Sequence, residues 1–494
     1  MLISAVRRIA ASSLFALALG CVDDPGRAVT DEWGSEGDSI GDETPQDLPE
    51  TSESSTDSLG SESDSSSDTT DATDTTESDT SDPQPYAPVL YPADRVHSPI
   101  TSYVADSLLG IREFDPALLD DVFMKVGASS TVNINTLYCF ALDVPDLDVY
   151  EPILGPTLDF FLDGMAADTT PFDRVTLAAM VGKTAGWAIT GDPSPVVQEL
   201  DAIEPSLALV HYGANDMQQG ITYASALPGF HANMSDLLDG LIARGVVPVV
   251  FGLSHRLDQA GADDWVATYN ALVRGLAQAR QVPFIDLHFA LEQLPGYGLS
   301  GDGLHLEAFA EGACVFTPEG LQHGYNVRNL IALELLDRAR AVLIEGEASL
   351  EDQPIATLQG AGDLDDPFVI ASLPFADARD TSDSTSTELD VYTGCSSGTD
   401  ESGPEYLYRL ELAQPTRIRA MVLDRSGVDI DIQLLDQSAS EAGCIARHDT
   451  MLELALDPGS YVFALDTYVA SGIEQSGAYD FIVLECEPDD PDCG

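Results

Sequence analysis

Leu207-Ala208-Leu209-Val210-His211-Tyr212-Gly213-Ala214-Asn215-Asp216 reads as a buried strand that stops abruptly at a small-residue turn carrying an amide and a carboxylate. The same grammar occurs upstream, where the apolar run Val122 to Val126 ends in Gly127-Ala128-Ser129, and a third motif, Asp302-Gly303-Leu304-His305, closes the stretch. Ligands of open α/β sheets bind in the crevice at the carboxyl ends of the strands. A serine, an asparagine and an Asp/His pair delivered to that edge are the parts of a reactive site.

Working outward, five short β-rich runs alternate with helical patterns: Val122–Val126, Val175–Val181, Leu207–Tyr212, Val246–Leu253 and Pro283–Leu287. Segments such as Met234 to Arg244 and Trp265 to Ala279 carry helical spacing between them, and a last helix spans Asn326 to Leu343. Alternating β and α predicts a parallel sheet with helices on both faces over residues 85–346. Beyond a loose linker the period changes to two. Tyr406–Leu412, Arg417–Leu423, Asp429–Leu435, Met451–Leu456 and Tyr461–Asp466 are separated by Ser426-Gly427, Pro458-Gly459 and Ser476-Gly477. That pattern predicts an antiparallel β-sandwich within residues 347–494. Its runs Tyr406 to Leu410, Val428 to Asp431 and Leu456 to Tyr461 resemble bacterial pre-peptidase C-terminal domains. Each domain is expected to own its core, so that residues 347–494 are dispensable for the first.

The leading segment has a different character. Arg7 and Arg8 precede the apolar run Ile9 to Leu19, too short to span a bilayer and read as a signal sequence. It ends at Ala18-Leu19-Gly20-Cys21, which resembles a bacterial lipobox, so residues 1–21 read as a signal peptide with Cys21 as the lipidation site. Residues 22–84 are Ser, Thr, Asp and Glu with almost no large apolar residue, and read as a disordered acidic stalk. The expected location is the cell envelope, with the membrane met only through the lipid anchor; otherwise the chain is secreted.

Net charge is −63, which argues against nucleic acid and anionic membrane surfaces as partners. Lys125 and Lys183 are the only lysines, each within two residues of a motif glycine; Lys125 reads as the partner of an acid beside its strand. With Cys21 set aside, six cysteines remain, an even number that fits disulfides in an exported chain. Cys139 follows Ser129 by ten residues and Cys314 follows His305 by nine, so convergence of the two motifs would bring these sulfurs together. Cys395–Cys444 and Cys486–Cys493 are then the preferred pairs. No cysteine or histidine spacing suits zinc, and no cofactor is expected. Asp429 and Asp431, alternating with Val428, Ile430 and Ile432, read as solvated acids, with a calcium site as the alternative.

The chemistry follows from what ester cleavage needs: a nucleophilic oxygen, an imidazole to take its proton, a carboxylate to hold the imidazole, and donors for the oxyanion. Ser129 is the candidate nucleophile, His305 the base and Asp302 its orienting group. The Ser129 and Gly182 N–H groups and the Asn215 amide are the candidate oxyanion donors, Gly182 because lack of a Cβ permits close approach. Gly186, four residues on, is the alternative to Gly182. His255 is a candidate pocket-lining residue; the other histidines have no partner motif.

Taken together, Ser129, Gly182, Asn215 and the Asp302–His305 pair resemble the four marker blocks of the SGNH (GDSL-type) hydrolase superfamily over roughly residues 90–345. The resemblance implies a flavodoxin-like three-layer α/β/α fold. It also implies hydrolysis of acyl or acetyl esters on carbohydrate or lipid; the chain is expected to be a monomer. Ala128 departs from it, standing where the family carries an aspartate that supports the turn. The competing expectation is a surface binding protein that keeps this fold without turnover.

Overall fold

The apolar run before Ser129 forms the inner half of β1 (Leu119–Gly127), whose last six residues are all buried. In this computed structural model residues 86–494 are described, apart from 143, 144, 489, 492 and 494. The leader, Cys21 and the 22–84 stalk lie outside the described residues. The helix α1 (Ser102–Arg112) precedes β1, and the short α2 (Ser129–Val132) and α3 (Cys139–Leu142) follow it. Then come α4 (Glu151–Asp163), α5 (Ala185–Ile189), α6 (Pro195–Ile203), β2 (Pro205–His211), α7 (Tyr223–Ile242) and β3 (Val247–Phe251). The half closes with α8 (Ala262–Ala279), β4 (Phe284–Ile285), α9 (Leu287–Leu291) and α10 (Gly324–Leu343). The four strands pair in parallel in the order β1-β2-β3-β4. The helices α1, α4 and α10 pack together, as do α5, α6, α7 and α8, giving two helical layers about the sheet.

Val175–Val181 is the exception to the expected strands. It meets the sheet through a single parallel bridge, Gly127 with Ala179, on the free side of β1. That is the place of the outer strand in the 2-1-3-4-5 order of flavodoxin-like sheets. The physical reason lies in its donors. Glu199 of α6 takes the Leu177 N–H at 2.9 Å, and the Thr176 hydroxyl takes that of Ala178 at 3.0 Å. Side chains have satisfied what a ladder would use, and Val175, Leu177, Met180 and Val181 stand exposed.

The second half is antiparallel. Its strands are β5 (Phe368–Ile370), β6 (Phe375–Asp380), β7 (Glu405–Leu412), β8 (Thr416–Asp424), β9 (Ile430–Leu435), β10 (Cys444–His448), β11 (Met451–Leu456), β12 (Gly459–Thr467) and β15 (Ala478–Glu485). A small ribbon, β13 (Val469–Ala470) with β14 (Ile473–Glu474), interrupts them. One sheet runs β10-β9-β12-β7-β5, with β5 parallel to β7, and the other β11-β8-β15-β6. Alternate residues of both fill a β-sandwich core, where the Tyr408 and Phe481 rings lie 4.7 Å apart.

The sandwich has a core between its sheets, but the outer face of one sheet also joins the core of the α/β half. Ala376, Met421, Leu423, Ile482 and Leu484, on one sheet of the sandwich, join the apolar cluster of the α/β half. They cover α8, which packs against β6 and β15 and buries residues around its whole circumference. Gln278 donates to Ala376 O at 2.7 Å, and His231 Nε2 lies 2.7 Å from Asp480. The guanidinium of Arg419, 1% exposed, stacks 3.7 Å from the Trp265 ring and donates to Thr268 Oγ1 at 2.7 Å. It also pairs with Glu453 and Asp490. Residues 347–494, expected to be dispensable for the first half, thus supply part of the burial of α8.

The sulfurs pair as Cys139–Cys314, Cys395–Cys444 and Cys486–Cys493. The first joins residues 175 apart in sequence, with Cα atoms at 5.6 Å. Asp431 is not a solvated acid. It is buried, and Arg447 donates to it at 2.5 Å while also binding buried Glu401 at 2.8 Å. Asp429, Asp431 and Asp449 bring carboxylate oxygens within 4.8 Å of one another.

Candidate active site

Gly127 ends β1 where only a glycine fits: a Cβ there would lie 2.1 Å from Thr131 Oγ1 and 2.7 Å from His211 O. The chain turns at Ala128, and Ser129 opens α2. The Thr131 and Val132 N–H groups donate to Ala128 O at 3.0 and 3.1 Å, so backbone bonds close the turn that carries alanine. Arg328 of α10 and the Thr136 hydroxyl both donate to Ser130 O, at 2.7 and 2.5 Å. The serine is thus presented by a turn pinned from behind.

Asp302 and His305 meet it from the loop before α10. His305 Nε2 lies 2.9 Å from Ser129 Oγ, and His305 Nδ1 lies 2.7 Å from Asp302 Oδ2. The other oxygen of Asp302 accepts from the Leu304 and His305 N–H groups at 3.0 and 2.9 Å and from the Ser300 hydroxyl at 2.7 Å. Burial opposes ionisation here, but bonds from the His305 ring, these backbone donors and Ser300 outweigh it and hold the carboxyl well below its ordinary range. Asp302 stays an acceptor for the imidazole N–H. The Asp302 and His305 side chains keep 51% and 29% of their surface, so the relay opens to solvent.

Two of the three proposed oxyanion donors, Gly182 and Asn215, sit on loops tied together by one buried carboxylate. Asp216 accepts from Ala185 N–H at 2.9 Å and Gly213 N–H at 3.1 Å, and Asn215 Nδ2 donates to Lys183 O at 2.9 Å. Burial pushes the Asp216 carboxyl up to about 6 against the pull of these N–H groups. The Gly182 loop is carried to β1 by Met180, whose N–H donates to Gly127 O at 3.2 Å. Gly182 has φ +74°, and a Cβ there would meet nothing within 4 Å. Within the protein its requirement for glycine is the left-handed backbone. Gly186 lies inside α5 against the Asn233 side chain.

Two arginines escaped the sequence reading. Arg256, 2% exposed, donates to Ala214 O at 2.5 Å and is clamped on Asp258, holding the Asn215 loop from behind. Arg328 does the same for Ser130. Neither has a local signal, because their partners lie 42 and 198 residues away in sequence. His255 is buried, stacked between the Tyr297 and His288 rings at 3.8 Å, with Nδ1 3.2 Å from Asp263. It underlies the Asp302–His305 loop, to which Leu257 N–H is bonded through Gly303 O at 2.8 Å. Among the described residues Lys125 forms no ion pair with an acid: its Nζ donates to Phe172 O at 2.7 Å and lies 3.7 Å from the Tyr138 ring centroid. Lys183 Nζ lies 5.9 Å from the Trp187 ring.

Similarity to known proteins extends over part of the chain. No curated protein matches it. Solved structures similar to it include a variant of an acetyl xylan esterase from Geobacillus stearothermophilus, at 12% identity and TM-score 0.31, covering 43% of this chain and 93% of that one. A GDSL-like lipase from Bacteroides thetaiotaomicron has 13% identity and TM-score 0.29, covering 48% and 99%. The esterase EstA from Pseudoalteromonas sp. has 14% identity and TM-score 0.26, covering 46% and 97%. Residues 154–310, which hold Gly182, Asn215, Asp302 and His305 and begin after Ser129, match the GDSL-like Lipase/Acylhydrolase family and support a hydrolase domain of that type in the α/β half.

Proposed function

We propose that the chain is a serine esterase of the cell envelope, cleaving acyl or acetyl esters of carbohydrate or lipid as a monomer. The observation that carries this reading is the unbroken relay Ser129 Oγ, His305 Nε2, His305 Nδ1, Asp302 Oδ2 at 2.9 and 2.7 Å. Ser129 attacks the ester carbonyl while His305 takes its proton, and Asp302 holds the imidazolium in place. The oxyanion is met by the Ser129 and Gly182 N–H groups and by the Asn215 amide, which has one N–H beyond that given to Lys183 O. His305 returns its proton to the departing alkoxide. Water, deprotonated by the same ring, then releases the acid from the acyl-enzyme.

The test is turnover of p-nitrophenyl acetate and butyrate by the full-length protein, with a fluorophosphonate probe mapped by peptide analysis. Labelling at Ser129 with turnover supports the reading. Neither would leave the binding-protein reading in its place. Anchoring through Cys21 is part of the proposal, and no described helix is long and apolar enough to cross a membrane. Cys21→Ser should move the protein from the detergent phase to the aqueous phase in Triton X-114 partition; a variant retained in detergent would refute the anchor.

A further inference from the structure

Behind the Ser129 turn, between the sheet and α10, lie two cations that bond to no carboxylate among the described residues. Lys125 and Arg328 are 2% and 3% exposed. Lys125 has the Phe172 carbonyl and the Tyr138 ring; Arg328 has Ser130 O, Thr136 Oγ1 at 3.1 Å and His211 Nδ1 at 3.2 Å. Every one of these partners is neutral, since burial holds the His211 ring well below its ordinary range. At the interface between the halves, by contrast, buried Arg419 has two acids. Burying like charges without a counter-charge is costly, and native proteins offset it with a partner or by neutralising the group.

Both cations line one cavity of about 10 Å³, roughly what one water-sized occupant needs. What its polar groups can still do is one-sided. Thr131 Oγ1 is buried there without a hydrogen-bond partner. The Asn329 carbonyl already accepts from Leu137 N–H, and the Thr136 hydroxyl already donates to Ser130 O. With His211 Nδ1 accepting from Arg328, its remaining ring nitrogen carries the proton. The lining therefore offers N–H and O–H donors and positive charge.

We propose that this cavity is a binding site for one small monovalent anion, chloride in ordinary media, held by Lys125, Arg328 and the Thr131 hydroxyl. The anion supplies the missing counter-charge and accepts the orphaned donor. Because Arg328 grips Ser130 O and Thr131 belongs to α2, it also stiffens the turn that presents Ser129. Burial, with the neighbouring Arg174 and Arg328 charges, pushes the Lys125 ammonium down to about 7 against the pull of Asp173 and Glu199; an adjacent anion keeps it charged at neutral pH. None of this depends on the esterase reading.

The test uses the full-length protein. Thermal unfolding is followed against sodium chloride or bromide, with sodium gluconate at equal ionic strength as the control, because gluconate is too large for the cavity. Crystals grown in bromide are examined by anomalous diffraction. The expected results are a bromide peak between Lys125 and Arg328 and a saturable rise in unfolding midpoint that gluconate does not produce. Thr131→Val should weaken the halide midpoint about tenfold, as loss of one charge-assisted hydrogen bond does, and Lys125→Met should abolish the halide-specific rise. Coincident halide and gluconate curves in the unsubstituted protein, with no bromide peak, would overturn the site. That readout stands even where a variant fails to fold.

Discussion

The edge that carries Ser129 and the face where α8 meets the sandwich are built on opposite principles. At the edge, side chains that keep a third to a half of their surface are aimed by hydrogen bonds from loops, and Asp302 spends its oxygens on local donors. At α8, polar groups are buried with partners from the other half, and apolar area does the holding. An exposed relay contributes little to stability, because water competes for every bond in it. A buried interface contributes nothing directly to chemistry. Turnover and folding stability should therefore be separable by single substitutions.

The largest effect should come from removing the nucleophile or base. Ser129→Ala and His305→Ala should each lower kcat/KM by about 10⁴-fold or more while the thermal midpoint stays in place. A variant that loses its midpoint along with turnover would break the separation. Next is Arg419→Met, which removes the guanidinium shared by Glu453 and Asp490. It should cost about 3–5 kcal/mol in denaturant unfolding at unchanged kcat, and a fall in kcat under native conditions would show that the sandwich reaches the chemistry. Asn215→Ala should lower kcat by about 10²–10³. A change confined to KM would take the amide out of the oxyanion site.

The smallest effect is the most diagnostic of how the edge is wired. Asp216 has its carboxyl raised from 3.8 to about 6 in the folded chain. Between those values the folded state binds more protons than the unfolded one. Its contribution to stability therefore grows as pH falls through that window and is lost as pH rises past about 6. Asp216→Asn removes that slope and sets an amide N–H against one of its two donors. Thermal midpoints across the window should diverge, the unsubstituted protein gaining on the variant toward acid. Parallel curves would mean that the carboxyl does not titrate there.

Much of the edge was legible in the sequence, for a physical reason. A strand that must be buried on both faces is apolar throughout, and the turn ending it must be small, so Leu207 to Asp216 and Val122 to Ser129 announce both element and position. The spacing of Cys139 and Cys314 from Ser129 and His305 carried the same message, since two loops at one sheet edge bring their neighbours together. The outer strand was misread because apolar residues at Val175–Val181 do not form a ladder once Glu199 has taken its donor.

By itself, then, the sequence determined the alternation of elements, the half that is all β, the order of the reactive residues and the parity of the cysteines. These are properties of short windows, where periodicity and turn chemistry act within a few residues. The tertiary structure alone decided that α8 is sealed by the sandwich, that Arg256 and Arg328 brace the two loops, and that Lys125 lies beside a second cation with no carboxylate of the described residues in hydrogen-bond contact. Those facts turn on partners far apart along the chain, as with Arg328 and Ser130 at 198 residues. Whether a charge is buried, and against what, is settled only when the layers close.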